Sequence, residues 1–251
     1  MTPSLLKVEG LEKRFGGIVA TDSLSLDVRP GEVHAVIGPN GAGKTTLIGQ
    51  LTGEILPDAG RIVFDGAEIG ALPVHARARR GLARSFQITS IFPSFTAAEN
   101  VALAVQAREP HAFRMLADAD KDADLDAAAC AALARVGLAD RARVPAAGLA
   151  HGEKRQLEVA MALATEPRLL LLDEPMAGMG PDESARMSDL LAGLKGEVAM
   201  LLVEHDMDVV FTLADRITVL VYGRAIASGA PDAIRRDAAV REAYLGEEQP
   251  A

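Results

Sequence analysis

Tryptophan is absent from these 251 residues, aromatic residues make up 4% of them, and Cys130 is the lone cysteine. A single thiol can form neither a disulfide within the chain nor a multi-cysteine zinc site, so the fold has to rest on its apolar core and its hydrogen bonds. With 49% hydrophobic residues over this length the core can be sizeable. Long apolar runs are missing as well. The longest, near residues 198–203 and 217–222, are strand-sized and fall well short of the ~20 residues of a membrane-spanning helix. Near the start, Lys7 and Glu9 interrupt any apolar stretch, so a secretory leader is not expected. Nor is positive charge in excess: 26 Lys and Arg stand against 35 Asp and Glu, a formal net charge of −9. That disfavours a chain devoted to nucleic-acid phosphates, and no nucleic-acid partner is expected. It leaves room for a local anion site. The composition predicts a soluble protein of a reducing compartment that reaches a membrane only through a partner.

The patterning changes twice along the chain. Residues 5–8, 24–28 and 32–37 read as short strands, punctuated by Gly16-Gly17 and Pro30-Gly31. Residues 44–52 carry Leu47, Ile48 and Leu51 at helical spacing, with Gly53 placed as a stop. Residues 61–64 and 67–69 flank Asp65-Gly66, a hairpin signal. The middle, about 95–164, is alanine-rich and helical in period at 98–107, 125–136 and 153–164. Its acidic stretch 118–126 reads as a solvated helix start or loop. Strand and helix then alternate again: strands at 169–172, 198–203 and 217–221, helices at 182–194 and 207–213. Such alternation implies a mostly parallel sheet covered by helices on both faces, preceded by an antiparallel β part. The expected organisation over 1–251 is one α/β unit. Its core consists of 1–87 and 151–251, with an inserted α-helical subdomain over 88–150.

Gly38-Pro39-Asn40-Gly41-Ala42-Gly43-Lys44-Thr45-Thr46 satisfies G-x-x-x-x-G-K-[ST], follows an apolar strand and opens a helix, which is the context a P-loop requires. Backbone N–H groups of such a loop converge on phosphate oxygens, and the helix N-terminus adds further donors. Lys44 supplies charge for the outer phosphates and the Thr45 hydroxyl is a Mg²⁺ ligand candidate. Downstream, Leu169-Leu170-Leu171-Leu172-Asp173-Glu174 is an apolar strand ending in two carboxylates. Asp173 is expected to serve the metal and Glu174 to act as general base toward water. His205 follows another apolar strand. In a parallel sheet the strand ends converge on one crevice, which places His205 near the γ-phosphate and the Glu174 side chain. The expected cofactors are ATP and Mg²⁺.

With these motifs the sequence resembles the ATP-binding subunits of ABC transporters over essentially its whole length. Leu149-Ala150-His151-Gly152-Glu153 stands where that family has its Leu-Ser-Gly-Gly-Gln signature, matching at Leu149 and Gly152. The resemblance implies several roles. Phe15 would stack on adenine, Gln87 would reach Mg²⁺ and the attacking water, and His205 would be the switch histidine. The signature residues of one subunit would bind ATP held by the P-loop of another, in a head-to-tail homo- or heterodimer. Gly180 departs from the family, which commonly has Asp there. Within the family the chain is most similar to the branched-chain amino-acid uptake type. This similarity rests on Gly81-Leu82-Ala83-Arg84-Ser85-Phe86-Gln87, the Ala150-His151-Gly152-Glu153 variant, and the ending Val240-Arg241-Glu242-Ala243-Tyr244-Leu245-Gly246. It implies an ATPase on the cytoplasmic face of the cell membrane, held there peripherally. Its partners would be permeases, a second ATPase subunit and, indirectly, a solute-binding protein. The apolar loop residues Ile88, Ile91, Phe92 and Phe95 form a candidate docking patch. The alternative is a non-transport ABC ATPase that drives a soluble assembly.

Overall fold

The computed structural model describes residues 3–84, 91–108 and 123–242. Two sheets organise them. The first is antiparallel, ordered β2-β1-β4-β5, built from Leu6–Phe15 (β1), Ile18–Val28 (β2), Ala59–Phe64 (β4) and Ala67–Glu68 (β5). Strands β1 and β2 run well beyond the short stretches the sequence predicts. Register shifts after Val8, Leu11 and Lys13 break the inside–outside alternation that marks a strand, and this hides the outer half of the hairpin.

The second sheet has six strands in the order β10-β9-β3-β8-β7-β6. Val33–Ile37 (β3), Leu82–Arg84 (β6), Leu169–Asp173 (β7), Ala199–Val203 (β8) and Arg216–Val221 (β9) are parallel. Arg224–Gly229 (β10) closes one edge antiparallel. Both faces of β7 and β8 are apolar. Leu170, Leu172, Met200 and Leu202 pack into one core, and Leu169, Leu171, Leu201 and Val203 into another. This two-sided burial is why these strands read as unbroken apolar runs. The sequence reading omitted β6 and β10: the first is three residues long and the second is a largely exposed edge.

Helix Lys44–Thr52 (α1) falls where predicted and ends at Gly53, which adopts φ +88 and donates to Gly49 O. Behind its C-terminal end lies Val74–Ala78 (α2), absent from the sequence reading, with the fully buried Arg77. That guanidinium donates to the carbonyls of Gln50 (2.6 Å), Leu51 (2.8 Å), Gly70 (2.8 Å) and Leu72 (2.9 Å). Through Gln50 and Leu51 it satisfies two orphan acceptors in the last turn of α1 and meets its negative dipole end.

Between β6 and β7 lie Ala97–Gln106 (α3), Ala123–Arg135 (α4) and His151–Ala164 (α5), with two short 3₁₀ turns, Ala139–Arg141 and Ala146–Gly148, between α4 and α5. Thr96 and Glu99 form a reciprocal cap on α3, as an N-terminal Thr and a Glu three residues on are suited to do. Ala98, Val101, Ala129, Leu133, Leu157 and Ala160 share one continuous core with the β7 and β8 face above. Pro181–Gly193 (α6), Met207–Leu213 (α7) and Pro231–Arg236 (α8) complete the cover.

Candidate nucleotide site

The parallel strands deliver their C-terminal ends to one edge of the sheet. The P-loop follows β3, Glu204 and His205 follow β8, Asp173 ends β7, and Arg84 ends β6. Asp173 pairs in register with Val203, and the Glu174 amide donates to Val203 O at 2.8 Å. The three described segments predicted from separate motifs, the P-loop, Asp173-Glu174 and His205, therefore stand side by side, with the end of β6 next to them.

Two P-loop glycines are demanded by the fold itself. Gly38 adopts φ +154, and a Cβ there would fall against the carbonyl oxygen of Leu220 in β9. Gly43 adopts φ +101, and a Cβ would fall against the carbonyl of Ala20 in β2. Gly41 faces open space, and its φ of +80 is the constraint there. So the loop is clamped between the two sheets before any ligand arrives, and the phosphate-approach reason for glycine applies chiefly at Gly41. Pro39 and Asn40 form the loop's outer bend, and Ala42 packs into the core beneath. Lys44 is buried, and its ammonium donates to Gly38 O at 2.6 Å and Pro39 O at 3.0 Å. Burial lowers its pKa, while Glu174 and Asp173 pull it back up. Thr45 is exposed and Thr46 partly so.

Asp173 is 2% exposed. Its Oδ2 accepts from Arg84 Nη2 at 3.2 Å, and Arg84 Nη1 donates to Glu54 Oε2 at 2.6 Å. Burial raises the Asp173 carboxyl above its usual range against the lowering effect of Arg84. Among the described residues no three His, Cys, Asp or Glu side chains cluster as a complete protein cage for a metal. Mg²⁺ needs none, because it keeps waters and takes one or two carboxylates plus substrate phosphates. The hard oxygens of Asp173 and Thr45 fit that donor set.

Glu174 stands at φ +49, a strained backbone for a non-glycine residue. His205 Nδ1 lies 3.9 Å from Glu174 Oε1, within ion-pair reach but beyond a hydrogen bond. Glu204, which the sequence reading passed over, is a second buried carboxylate here. It accepts from the Met176 amide and the His205 amide, each at 3.0 Å, and so fixes the loops after β7 and β8 to one another. The Phe15 ring is 49% exposed at the hairpin tip, with Lys13 Nζ 5.5 Å from its centroid. That exposure suits a stacking surface and not a core position. Gln87 lies outside the described residues, as does Ile88.

The signature turn stands apart. Leu149 is buried, Ala150 caps α5, and Glu153 folds back to accept from the Ala150 amide at 2.8 Å. Glu153 also pairs with Arg141 at 2.8 Å, which lowers its pKa. His151 Nε2 lies 3.3 Å from Ala177 O, in the loop after Glu174. Glu183, on α6, accepts from Gly152 N at 3.3 Å and from Gly180 N at 3.2 Å. Glu183 had no signal in the sequence beyond standing at the third position of a helix, where a carboxylate satisfies free amides. Arg84 could have been suspected as the basic residue closest to Gln87.

A model of the ABC transporter family matches residues 21–177, and one for branched-chain amino acid ATP-binding cassette transporters matches residues 226–249. The chain is 42% identical over 255 residues to the high-affinity branched-chain amino acid transport ATP-binding protein BraF of Pseudomonas aeruginosa, spanning 98% of this chain and 100% of that one. It is 40% identical over 259 residues to the corresponding LivG protein of Salmonella typhimurium, again across 98% and 100% of the two chains. In three dimensions it is similar to the ADP conformation of MJ1267, an ATP-binding cassette of an ABC transporter. The TM-score is 0.86 at 29% identity, covering 98% of this chain and 100% of the other.

Proposed function

The chain belongs to the ABC transporter family as an ATP-binding, ATP-hydrolysing subunit, and on that premise we propose that it powers uptake of branched-chain or other hydrophobic amino acids, or a related small solute, through partner permeases. The observation that carries this reading is the likeness, over nearly the full length of both chains, to two proteins named for branched-chain amino acid transport.

In the proposed mechanism the P-loop amides of residues 38–46 cradle the phosphates and Lys44 turns from Gly38 O and Pro39 O to the outer ones. Phe15 stacks on the base. Asp173, Thr45 and Gln87 would hold Mg²⁺, which would supply positive charge to neutralise the phosphates. Glu174 accepts the proton of the attacking water, and His205 orients Glu174 and meets the γ-phosphate. Ala150, His151 and Gly152, at the start of α5, meet the γ-phosphate of a second subunit's ATP, so the working unit is a head-to-tail pair. ATP binds the closed pair better than the open one and shifts the population toward closure.

The permease seat is proposed on the helical insert, at the apolar loop of Ile91, Phe92 and Phe95 that enters α3. Phe92 and Phe95 stay solvent-exposed in this loop, with ring centroids 5.4 Å apart, and the buried Asn100 pins it. Beside the junction of α3 and α5 with β6 runs an apolar cavity of about 250 Å³ lined by Val74, Ala78, Leu82, Ala104 and Met161. No described helix is long and apolar enough to cross a membrane; the likeness to transport ATP-binding proteins supports a proposed peripheral location on the cytoplasmic face.

Glu174→Gln tests the chemistry. Turnover is expected to fall at least ~100-fold while ATP binding persists, and ATP should trap a pair of subunits on a sizing column. Near wild-type turnover would remove Glu174 as the base.

A further inference from the structure

Arg84 is placed to act on two surfaces at once. It ends β6 directly opposite Leu171, so its side chain runs along the sheet edge toward Asp173 two residues on. One nitrogen, Nη2, reaches the buried Asp173 carboxylate at 3.2 Å. The other, Nη1, holds Glu54 at 2.6 Å, just beyond the end of α1. Arg84 and Glu54 both also line the apolar cavity against α3 and α5. A single guanidinium, 12% exposed, therefore has one prong at the nucleotide edge and the other in the wall of the junction groove.

The charges around it are unequal. Asp173 is taken out of water and needs a cation, whereas Glu54 is 40% exposed and solvated. A divalent ion drawn to the same carboxylate meets a fixed positive charge within a few ångströms, and in a partly dry site that repulsion is poorly screened. The guanidinium has somewhere to go, since its second partner already lies on the groove side. The geometry points to Arg84 as a positioning residue that shares Asp173 with the metal ion and swings toward Glu54 as the ion loads, so that metal occupancy is felt in the wall of the groove. This inference rests on the reading of Asp173 as the metal-side acid.

The test measures Mn²⁺ binding to the ADP complex of the full chain by electron paramagnetic resonance, beside metal-free ADP affinity and thermal unfolding. Arg84→Gln is expected to tighten Mn²⁺ at least threefold. Glu54→Gln, which removes the negative charge on the groove side of the guanidinium, is expected to weaken it at least twofold. Arg84→Lys, which keeps a charge without the second prong, should stay within twofold of wild type. Weaker or unchanged Mn²⁺ binding in Arg84→Gln, or no effect of Glu54→Gln, overturns the sharing. Should Arg84→Gln fail to fold, the Glu54→Gln arm decides alone. Failure of the wild-type chain to bind Mn²⁺ with ADP would instead sink the metal reading of Asp173, a separate outcome.

Discussion

The P-loop edge and the signature turn, the two backbone ends proposed to meet phosphate, are built in opposite ways. The P-loop is clamped by main chain: Gly38 packs on Leu220 and Gly43 on Ala20, and Lys44 and Asp173 are buried beside it. The signature turn is held by side chains at the surface. Glu153 reaches Arg141 and Ala150, Glu183 reaches Gly152, and His151 reaches Ala177. Main-chain clamping in a close-packed core leaves one geometry available. Side-chain ties at a surface are individually weak and can be exchanged. The contrast suits a molecule that binds nucleotide rigidly on one edge and closes on a partner with the other.

The sharpest way to break this contrast is to add one methyl group to the clamp. Gly43→Ala combines a positive φ with a steric conflict against Ala20 O, and we expect a loss of about 4 kcal/mol or more together with loss of ADP binding. Gly41→Ala, with no neighbour to strike, should cost only about 1 kcal/mol. Thermal unfolding and ADP titration of the pair check this; equal effects would mean that the clamp is not what makes the loop rigid.

Arg77 supports the same edge from behind. Arg77→Met removes the donor to four carbonyls at and beyond the C-terminus of α1, and should cost about 3 kcal/mol in urea unfolding. Retention of full stability would show that water or neighbouring groups replace the guanidinium.

The pH response sharpens the comparison further, because the strand beneath the P-loop carries a hidden base at its far end. His34 lies within β3, the strand that leads into the P-loop, and is fully buried. Asp27 O, 2.7 Å from Nδ1, can only accept, so Nδ1 carries the proton and Nε2 takes the Thr218 hydroxyl at 2.7 Å. Burial, with the Arg216 charge, pushes the ring's pKa down to about 4. Its unfolded value is ~6.5, so the stability it contributes is complete above ~6.5 and is lost as pH falls toward 4. The loss is on the order of 3 kcal/mol at most. The Arg216 hydrogen bond lowers the Asp27 carboxyl, whose effect therefore belongs to pH values below ~3.9, outside this window. Melting temperature should fall more steeply between pH 6.5 and 4 in the wild type than in His34→Gln; parallel curves would contradict it.

Much of this was legible before any coordinates. The P-loop, the strand ending in Asp173-Glu174 and helix α1 announced themselves because each couples a strict residue pattern to a strict local conformation. What stayed hidden depends on distance in space. Glu204 looks like any acid after a strand until the amides of Met176 and His205 are seen to converge on it. Arg77 reads as a surface charge in an Arg-rich stretch, and its burial follows only from where the end of α1 falls. His34 sits in an apolar strand with no sequence sign that Thr218 lies beside it, 184 positions on. Strands β1 and β2 were cut short because their bulges erase the period of two.

The signature turn should show the smallest effect on folding. Glu153 belongs to the predicted ATP-contacting set, but its carboxylate is turned inward to the Ala150 amide and Arg141. Glu153→Ala gives up one amide cap and an exposed ion pair, so the melting temperature should move by no more than ~2 °C. Its consequence should appear only when two subunits meet: in the Glu174→Gln background, more ATP should be needed to trap the pair, because the start of α5 is no longer held in shape. A large drop in melting temperature would mean that the turn is as rigidly built as the P-loop. Unchanged ATP dependence of pairing would mean that the shape of this turn is not what the partner's nucleotide reads.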